Sequence, residues 1–269
     1  MSLAGVRRSV GTSVLVAGLV LPVLPLLLTA VSGGWRYPAL VPTTFSARGF
    51  KLVTDPHGDV LGALRTSLVI AISVAVIASG IGLAGGRAIG LYAFRGKRIV
   101  QFLLLAPVIV PGLAVTIGID VFFIRYGLAG TMPGVILVHL VPTIPYVTLV
   151  LGASFANFDT DYEDQARVLG AGPLRTLWSV TLPAVRPGLV VAAFFAFLIS
   201  WSEYILTLLI GGGSVKTLPL VLFAYISQSD TTEAAAVALV FIAPPLLLVT
   251  LTSRYLTGSG SGVVGLGRL

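Results

Sequence analysis

The chain has 269 residues, 56% hydrophobic and only 10% charged, with a mean hydropathy of +1.02. A soluble domain carries about 25% charged residues, so a water-soluble fold is excluded. The apolar runs are continuous, which also excludes the alternating strands of a membrane β-barrel. The net charge of +7 comes from 14 Arg and 3 Lys set between the apolar runs, where basic residues orient a membrane protein rather than bind nucleic acid.

Six apolar segments follow in chain order, Val10–Val31, Ser67–Gly86, Val100–Ile119, Gly134–Phe155, Leu189–Ile210 and Ala234–Thr252. Each has about 20 residues, enough to cross about 30 Å of hydrocarbon as a helix. Arg7 and Arg8 precede the first segment, which runs on to Ser32-Gly33-Gly34-Trp35 without a small-x-small cleavage site. That predicts a retained helix rather than a signal peptide. The loop Ser32–Arg65, with Pro38, Pro42, Gly49, Pro56 and Gly58, reads as irregular. In and after the second segment Gly82, Gly86 and Gly90 recur every four residues, a close-packing face within the subunit or against a second one.

Arg95-Gly96-Lys97-Arg98 before the third segment is the strongest charge anchor. Pro107, Pro111, Pro142, Pro145, Pro244 and Pro245 lie in or beside spans, where they kink helices and neighbours repair the freed carbonyls. With the N-terminus inside, eleven basic residues fall on the cytoplasmic side and six outside, so both termini are expected in the cytoplasm. After Thr257 a Gly/Ser-rich stretch reads as a flexible tail. There is no Cys, hence no disulfide or thiolate chemistry, and His57 and His139 stand too far apart in sequence to suggest zinc.

The stretch between the fourth and fifth spans, residues 156–188, is far longer than an ordinary connector. Asp159 to Asp164 places acids in a first helical turn, Leu169-Gly170 is a stop, and Pro173 starts a second helix that Pro183 and Pro187 are expected to end. Leu174, Leu177 and Trp178 share one face of it. Such a helix pair suits docking against a cytoplasmic partner, and equally an interfacial helix lying on lipid headgroups.

Here the chain resembles a family, the bacterial ABC importer permeases of the type I (methionine-importer-like) fold. Their cytoplasmic motif is Glu-Ala-Ala, three residues, Gly, nine residues, then Ile-x-Leu-Pro. This chain has Asp164-Gln165-Ala166, then Gly170, then Val180-Thr181-Leu182-Pro183 at the same spacing, with Asp and Gln replacing Glu and the first Ala. Leu169-Gly170-Ala171 and Pro187-Gly188 also match. Within the family the chain is most similar to polyamine (spermidine/putrescine) permeases of the PotC kind, on Pro107-Val108-Ile109-Val110-Pro111-Gly112, His139, Ser200-Trp201-Ser202-Glu203 and Thr217-Leu218-Pro219. Sugar-importer permeases are similar in the same stretches.

The resemblance implies an all-α integral membrane fold of six helices with a cytoplasmic coupling helix. Residues 1–60 would hold the first helix and an external loop, 61–257 the permease core with its coupling loop, and 258–269 the tail. It implies a bacterial inner-membrane protein with two ATPase subunits, a second permease that is a paralogue, and an external solute-binding protein. Asp164, Gln165, Ala166, Leu169, Gly170, Leu174 and Trp178 would contact the ATPase. ATP and Mg would belong to that ATPase. No nucleotide-binding motif is found in this chain, since Gly211-Gly212-Gly213-Ser214-Val215-Lys216-Thr217 lacks the Gly a phosphate loop needs before its Lys.

Three ionisable residues remain at membrane depth, Glu203, Asp120 and His139. Intramembrane charge is expensive and rarely faces lipid. They are the candidates for a translocation path selecting a small cation. The local alternatives are that Asp120 reaches water or pairs with Arg125, and that His139 binds a carbonyl freed by Pro142 or Pro145. A self-sufficient secondary transporter is the competing reading, against which the long motif-bearing loop speaks.

Overall fold

Lipid leaves a backbone no partner but itself, and apolar runs of this length satisfy it as helices. In the computed structural model the residues described are Gly18, Leu21 and residues 23–35, 38–110 and 112–256. The helices are α1 (Val23–Ala30), α2 (Arg48–Thr54), α3 (Asp59–Leu91), α4 (Lys97–Ile109), α5 (Gly112–Arg125), α6 (Met132–Ala156), α7 (Asp161–Val168), α8 (Pro173–Trp201), α9 (Ile205–Gly211), α10 (Leu218–Ser227) and α11 (Thr231–Leu256). Among the described residues there is no strand, and one isolated bridge joins Ser32 to Phe45.

Among the described residues, four helices are long and apolar enough to cross a membrane, namely α3, α6, α8 and α11 over Thr231–Ser253. Six were expected. Most of the first predicted span lies outside the described residues, as does the tail.

The third predicted span is two helices, of 13 and 14 residues. Between them Val110 is extended at ψ 136°, because the residue before a proline clashes with its ring in the helical conformation. The fifth is also broken. Helix α8 ends at Trp201 and α9 begins at Ile205. Nor is Ser32–Arg65 wholly irregular, since it contains α2 and the first turns of α3. With 33 residues α3 is about 50 Å long, well over the hydrocarbon thickness.

Two compact units can be distinguished, residues 1–65 with 216–244 and residues 66–215 with 245–269. In the first, Ala30, Ala235 and Ala236 form a small core with Leu26, Val53 and Leu239 against it. Gly49 allows α2 to approach, for a side chain there would stand 2.8 Å from Ala236 Cβ and 3.0 Å from the Ala30 carbonyl oxygen. Arg48 Nη2 donates to both Asp230 carboxylate oxygens, at 2.7 and 2.8 Å, and Lys216 pairs with Asp59 at 2.8 Å.

The second unit is built on α6 and α8, with α9 against α5 and α6. The glycine repeat of α3 packs within it. A Cβ on Gly86 would lie 2.7 Å from Leu151 Cβ and 2.8 Å from the Gly152 nitrogen, and one on Gly90 would lie 2.5 Å from Phe155 Cβ. This face therefore belongs to α6 of the same chain.

Candidate functional site

Helix α7 carries Asp161, Glu163 and Asp164 in its first turn, where its dipole favours anions. It ends in a Schellman turn. The Ala171 N–H donates to the Ala166 carbonyl at 2.9 Å and the Gly170 N–H to the Arg167 carbonyl at 2.9 Å, with Gly170 at φ +84°. Pro173 then opens α8 at its first position.

The expectation that Pro183 and Pro187 end this second helix is overturned, because α8 continues to Trp201 as one 29-residue helix. A π-turn over Leu177–Thr181 carries the chain into the proline-bearing segment, and there the Leu182 N–H reaches back five residues to the Leu177 carbonyl. The loop is thus one short helix, one turn and the first turns of a membrane helix.

The turn presents an unusual surface. Val168 and Leu169 are each 87% exposed, Leu174 71% and Trp178 69%. Beside them Asp161, Asp164, Gln165, Val168 and Leu169 line a shallow recess. Ala166 is half-buried. Asp164 is exposed and bound by Arg167 Nη1 at 2.6 Å.

Its neighbour Glu163, which the motif spacing did not single out, is the buried acid, 3% exposed. Arg87 of α3 clasps it with two parallel bonds, Nη1 to Oε1 at 2.6 Å and Nη2 to Oε2 at 2.7 Å. Thr181 Oγ1 donates to Oε1, and Arg167 Nη2 donates to Oε2 at 3.2 Å. The Arg87 bonds above all hold the Glu163 carboxyl down at about 2, against the opposing effect of burial, with Thr181 and the charges of Arg87 and Arg167 adding to it. The folded pKa lies below the ordinary one. The network's contribution to stability is therefore complete above the usual carboxylate range and lost only as pH falls toward about 2.

The second feature is a cavity of about 600 Å³ lined by Pro107, Val110, Pro142, Tyr146, Val150, Phe195, Ile199, Ser202 and Glu203. It is apolar but for Tyr146, Ser202 and Glu203, the one carboxylate in its wall. Glu203 lies in the break between α8 and α9. Its Oε1 accepts the Leu206 N–H at 3.1 Å, and its carbonyl accepts from Thr207 Oγ1 at 3.2 Å. Side chains thus satisfy the Leu206 N–H and the Glu203 carbonyl at the interruption between α8 and α9.

Asp120 and His139 are not among the lining residues. Asp120 is half-buried on α5. His139 is 1% exposed and is held by hydroxyls rather than by a carbonyl that Pro142 or Pro145 frees. Its Nδ1 is 2.9 Å from Ser200 Oγ and its Nε2 2.9 Å from Thr207 Oγ1. Since Thr207 donates to the Glu203 carbonyl, it accepts from Nε2–H, and Ser200 then donates to Nδ1. The ring pins α6 to both sides of the break, and nothing in the spacing of Ser200 and Thr207 announced it.

Known proteins fit these features. The spermidine/putrescine transport system permease protein PotC of Haemophilus influenzae is 28% identical over 186 residues, covering 69% of this chain and 72% of that protein. A putative 2-aminoethylphosphonate transport system permease protein PhnV of Salmonella paratyphi A is 28% identical over 236 residues, 87% of this chain and 88% of that one. A crystal structure of a bacterial ABC transporter involved in the import of the acidic polysaccharide alginate superposes with a TM-score of 0.69. It covers 95% of this chain and 98% of that chain at 16% identity, a likeness of fold. The profile of the binding-protein-dependent transport system inner membrane component family matches residues 77–258, which take in the α7–α8 turn, the α8–α9 break and the whole cavity wall. By that match the chain belongs to this family and is the permease component of a binding-protein-dependent ABC importer.

Proposed function

We propose that this permease moves a small solute bearing a primary ammonium group, and that it does so by coupling the cavity at Glu203 to a separate ATPase docked on the α7–α8 turn. The observation that carries the substrate class is the single carboxylate in an otherwise apolar and aromatic wall. A cation entering it finds one ionic partner at Glu203 and, among the lining side chains, the aromatic rings of Tyr146 and Phe195, a residue type that favours ammonium groups. Spermidine, putrescine and 2-aminoethylphosphonate, the solutes named for the PotC and PhnV relatives, carry that group.

The docking face is the exposed ridge of Val168, Leu169, Leu174 and Trp178 with the recess beside it. Asp164, Gln165, Ala166 and Gly170 would shape its turn. The asymmetry of basic residues supports placing this turn and both termini in the cytoplasm of a bacterium, with the protein in the inner membrane. The family's dependence on a binding protein supports an external solute-binding partner. Two ATPase subunits holding ATP and Mg, and a paralogous second permease, complete the proposed complex. Asp120, on α5, would serve the outer approach to the path, and His139 would hold the Glu203 break in register.

Replacing Glu203 by Gln is expected to lower uptake of the cationic solute about tenfold or more, as loss of a charged hydrogen bond does. ATPase association should be unaffected. Gln keeps an oxygen for the Leu206 N–H, so the cap on α9 survives the change. The measurement is solute uptake into proteoliposomes alongside co-purification of the ATPase. An unchanged uptake rate would remove Glu203 from the path.

A further inference from the structure

Glu163 gathers three segments onto one carboxylate. Arg87 brings α3, Thr181 brings α8 at its π-turn, and Arg167 adds a bond from α7 itself. The Arg87 guanidinium also lies over the Phe155 ring of α6, 5.8 Å from its centroid. We infer that the Arg87–Glu163–Thr181 cluster is a clamp that makes the docking turn one rigid body with α3 and α6. Displacement of the turn is thereby delivered to the cavity, and Arg87, Glu163 and Thr181 are positioning residues for coupling. This rests on the permease reading above.

Three observations support it. The turn itself is almost wholly exposed, with Val168 and Leu169 at 87%, whereas Glu163, five residues before Val168, is at 3%. Helix α8 carries the turn directly to Phe195 and Ile199 of the wall, and the clamp is the side-chain path that ties the same turn to α3 and, through Arg87 over Phe155, to α6. A forked Arg–carboxylate pair fixes orientation as well as distance, which a point contact does not. Finally, α6 runs unbroken from Met132 to Ala156, with Phe155 at the clamp and Val150, Tyr146 and Pro142 in the cavity wall. Gly90 of α3 packs backbone to backbone at the same end, where a Cβ would lie 2.6 Å from the Gly152 carbonyl oxygen. A shift at the clamp therefore moves the wall with it.

Spin-label distances test this, and the chain has no native cysteine to remove. One pair, Tyr162→Cys with Ile81→Cys, spans the clamp from an exposed position of α7 outside the docking ridge. A second, Val110→Cys with Ile199→Cys, spans the cavity. In the complete transporter, trapping nucleotide with vanadate is expected to shift the cavity distance while the clamp distance holds to within about 2 Å, the scale of a helix shift. In Glu163→Gln the clamp distribution should broaden and the cavity shift disappear. The double variant Arg87→Met/Glu163→Leu replaces the pair by apolar groups and leaves no lone charge. It should keep the thermal midpoint yet still lose the cavity shift, which a merely structural role would not predict.

A full cavity shift in the folded double variant overturns the inference, as does a wild-type clamp distance that changes on trapping. Failure of the permease reading looks different. The chain would then form no complex with its ATPase, while the clamp distance in the isolated chain would still separate wild type from Glu163→Gln.

Discussion

Gly170→Leu is expected to insert, fold and bind the membrane normally but to lose solute uptake by about tenfold or more while ATP hydrolysis by the assembled complex persists. The reason is local. Gly170 sits at φ +84°, a conformation that costs a residue with a Cβ about 1–2 kcal/mol. The two Schellman bonds to Arg167 and Ala166 depend on it. Yet a Cβ there would meet nothing within 4 Å, so no clash inside the chain threatens the fold. The damage is confined to the angle at which α7 meets α8, and hence to the exposed ridge. Asn tolerates the left-handed region, so Gly170→Asn should retain most of the uptake that Gly170→Leu loses. Uptake and hydrolysis measured on the same proteoliposomes check this. Normal uptake in Gly170→Leu would sink the coupling role of the turn.

Gly86→Leu has the largest expected effect on the protein itself. The new Cβ would stand 2.7 Å from Leu151 Cβ, 2.8 Å from the Gly152 nitrogen and 2.9 Å from the Leu151 carbonyl carbon. Two of these are backbone atoms of α6, which cannot turn aside as a flexible side chain would. Overpacking of this kind costs about 3 kcal/mol or more, and a drop of about 10 °C in the unfolding midpoint of the detergent-purified protein is expected. Gly80→Leu on the same helix is the control, because its Cβ would meet nothing within 4 Å. Equal midpoints for the two variants would contradict the packing of α3 on α6.

The class of fold is legible in composition and the importance of residues 156–188 in motif spacing, and both rest on local patterns. The glycine repeat was legible as a packing face, but its partner was not, since Leu151 and Phe155 carry no complementary signal. The break before Pro111 could be read from the residue preceding a proline. The break at Ser202–Tyr204 could not, because no Gly or Pro marks it, and only the polar pair Ser202-Glu203 hints that backbone there leaves the helix. Pro183 and Pro187 misled in the opposite direction, for the π-turn ahead of them let α8 run through. Glu163 was passed over for Asp164 because its importance lies in Arg87, 76 residues away in sequence. The partners of His139, 61 and 68 residues away, were hidden for the same reason.

This chain is expected to transport only as the membrane component of an ATP-driven complex. The most direct measurement is uptake of spermidine, putrescine and 2-aminoethylphosphonate into proteoliposomes holding the permease pair, with the ATPase and the solute-binding protein added or omitted in turn. Uptake that requires ATP and every component is the predicted result. Uptake by the permease without its ATPase would contradict it.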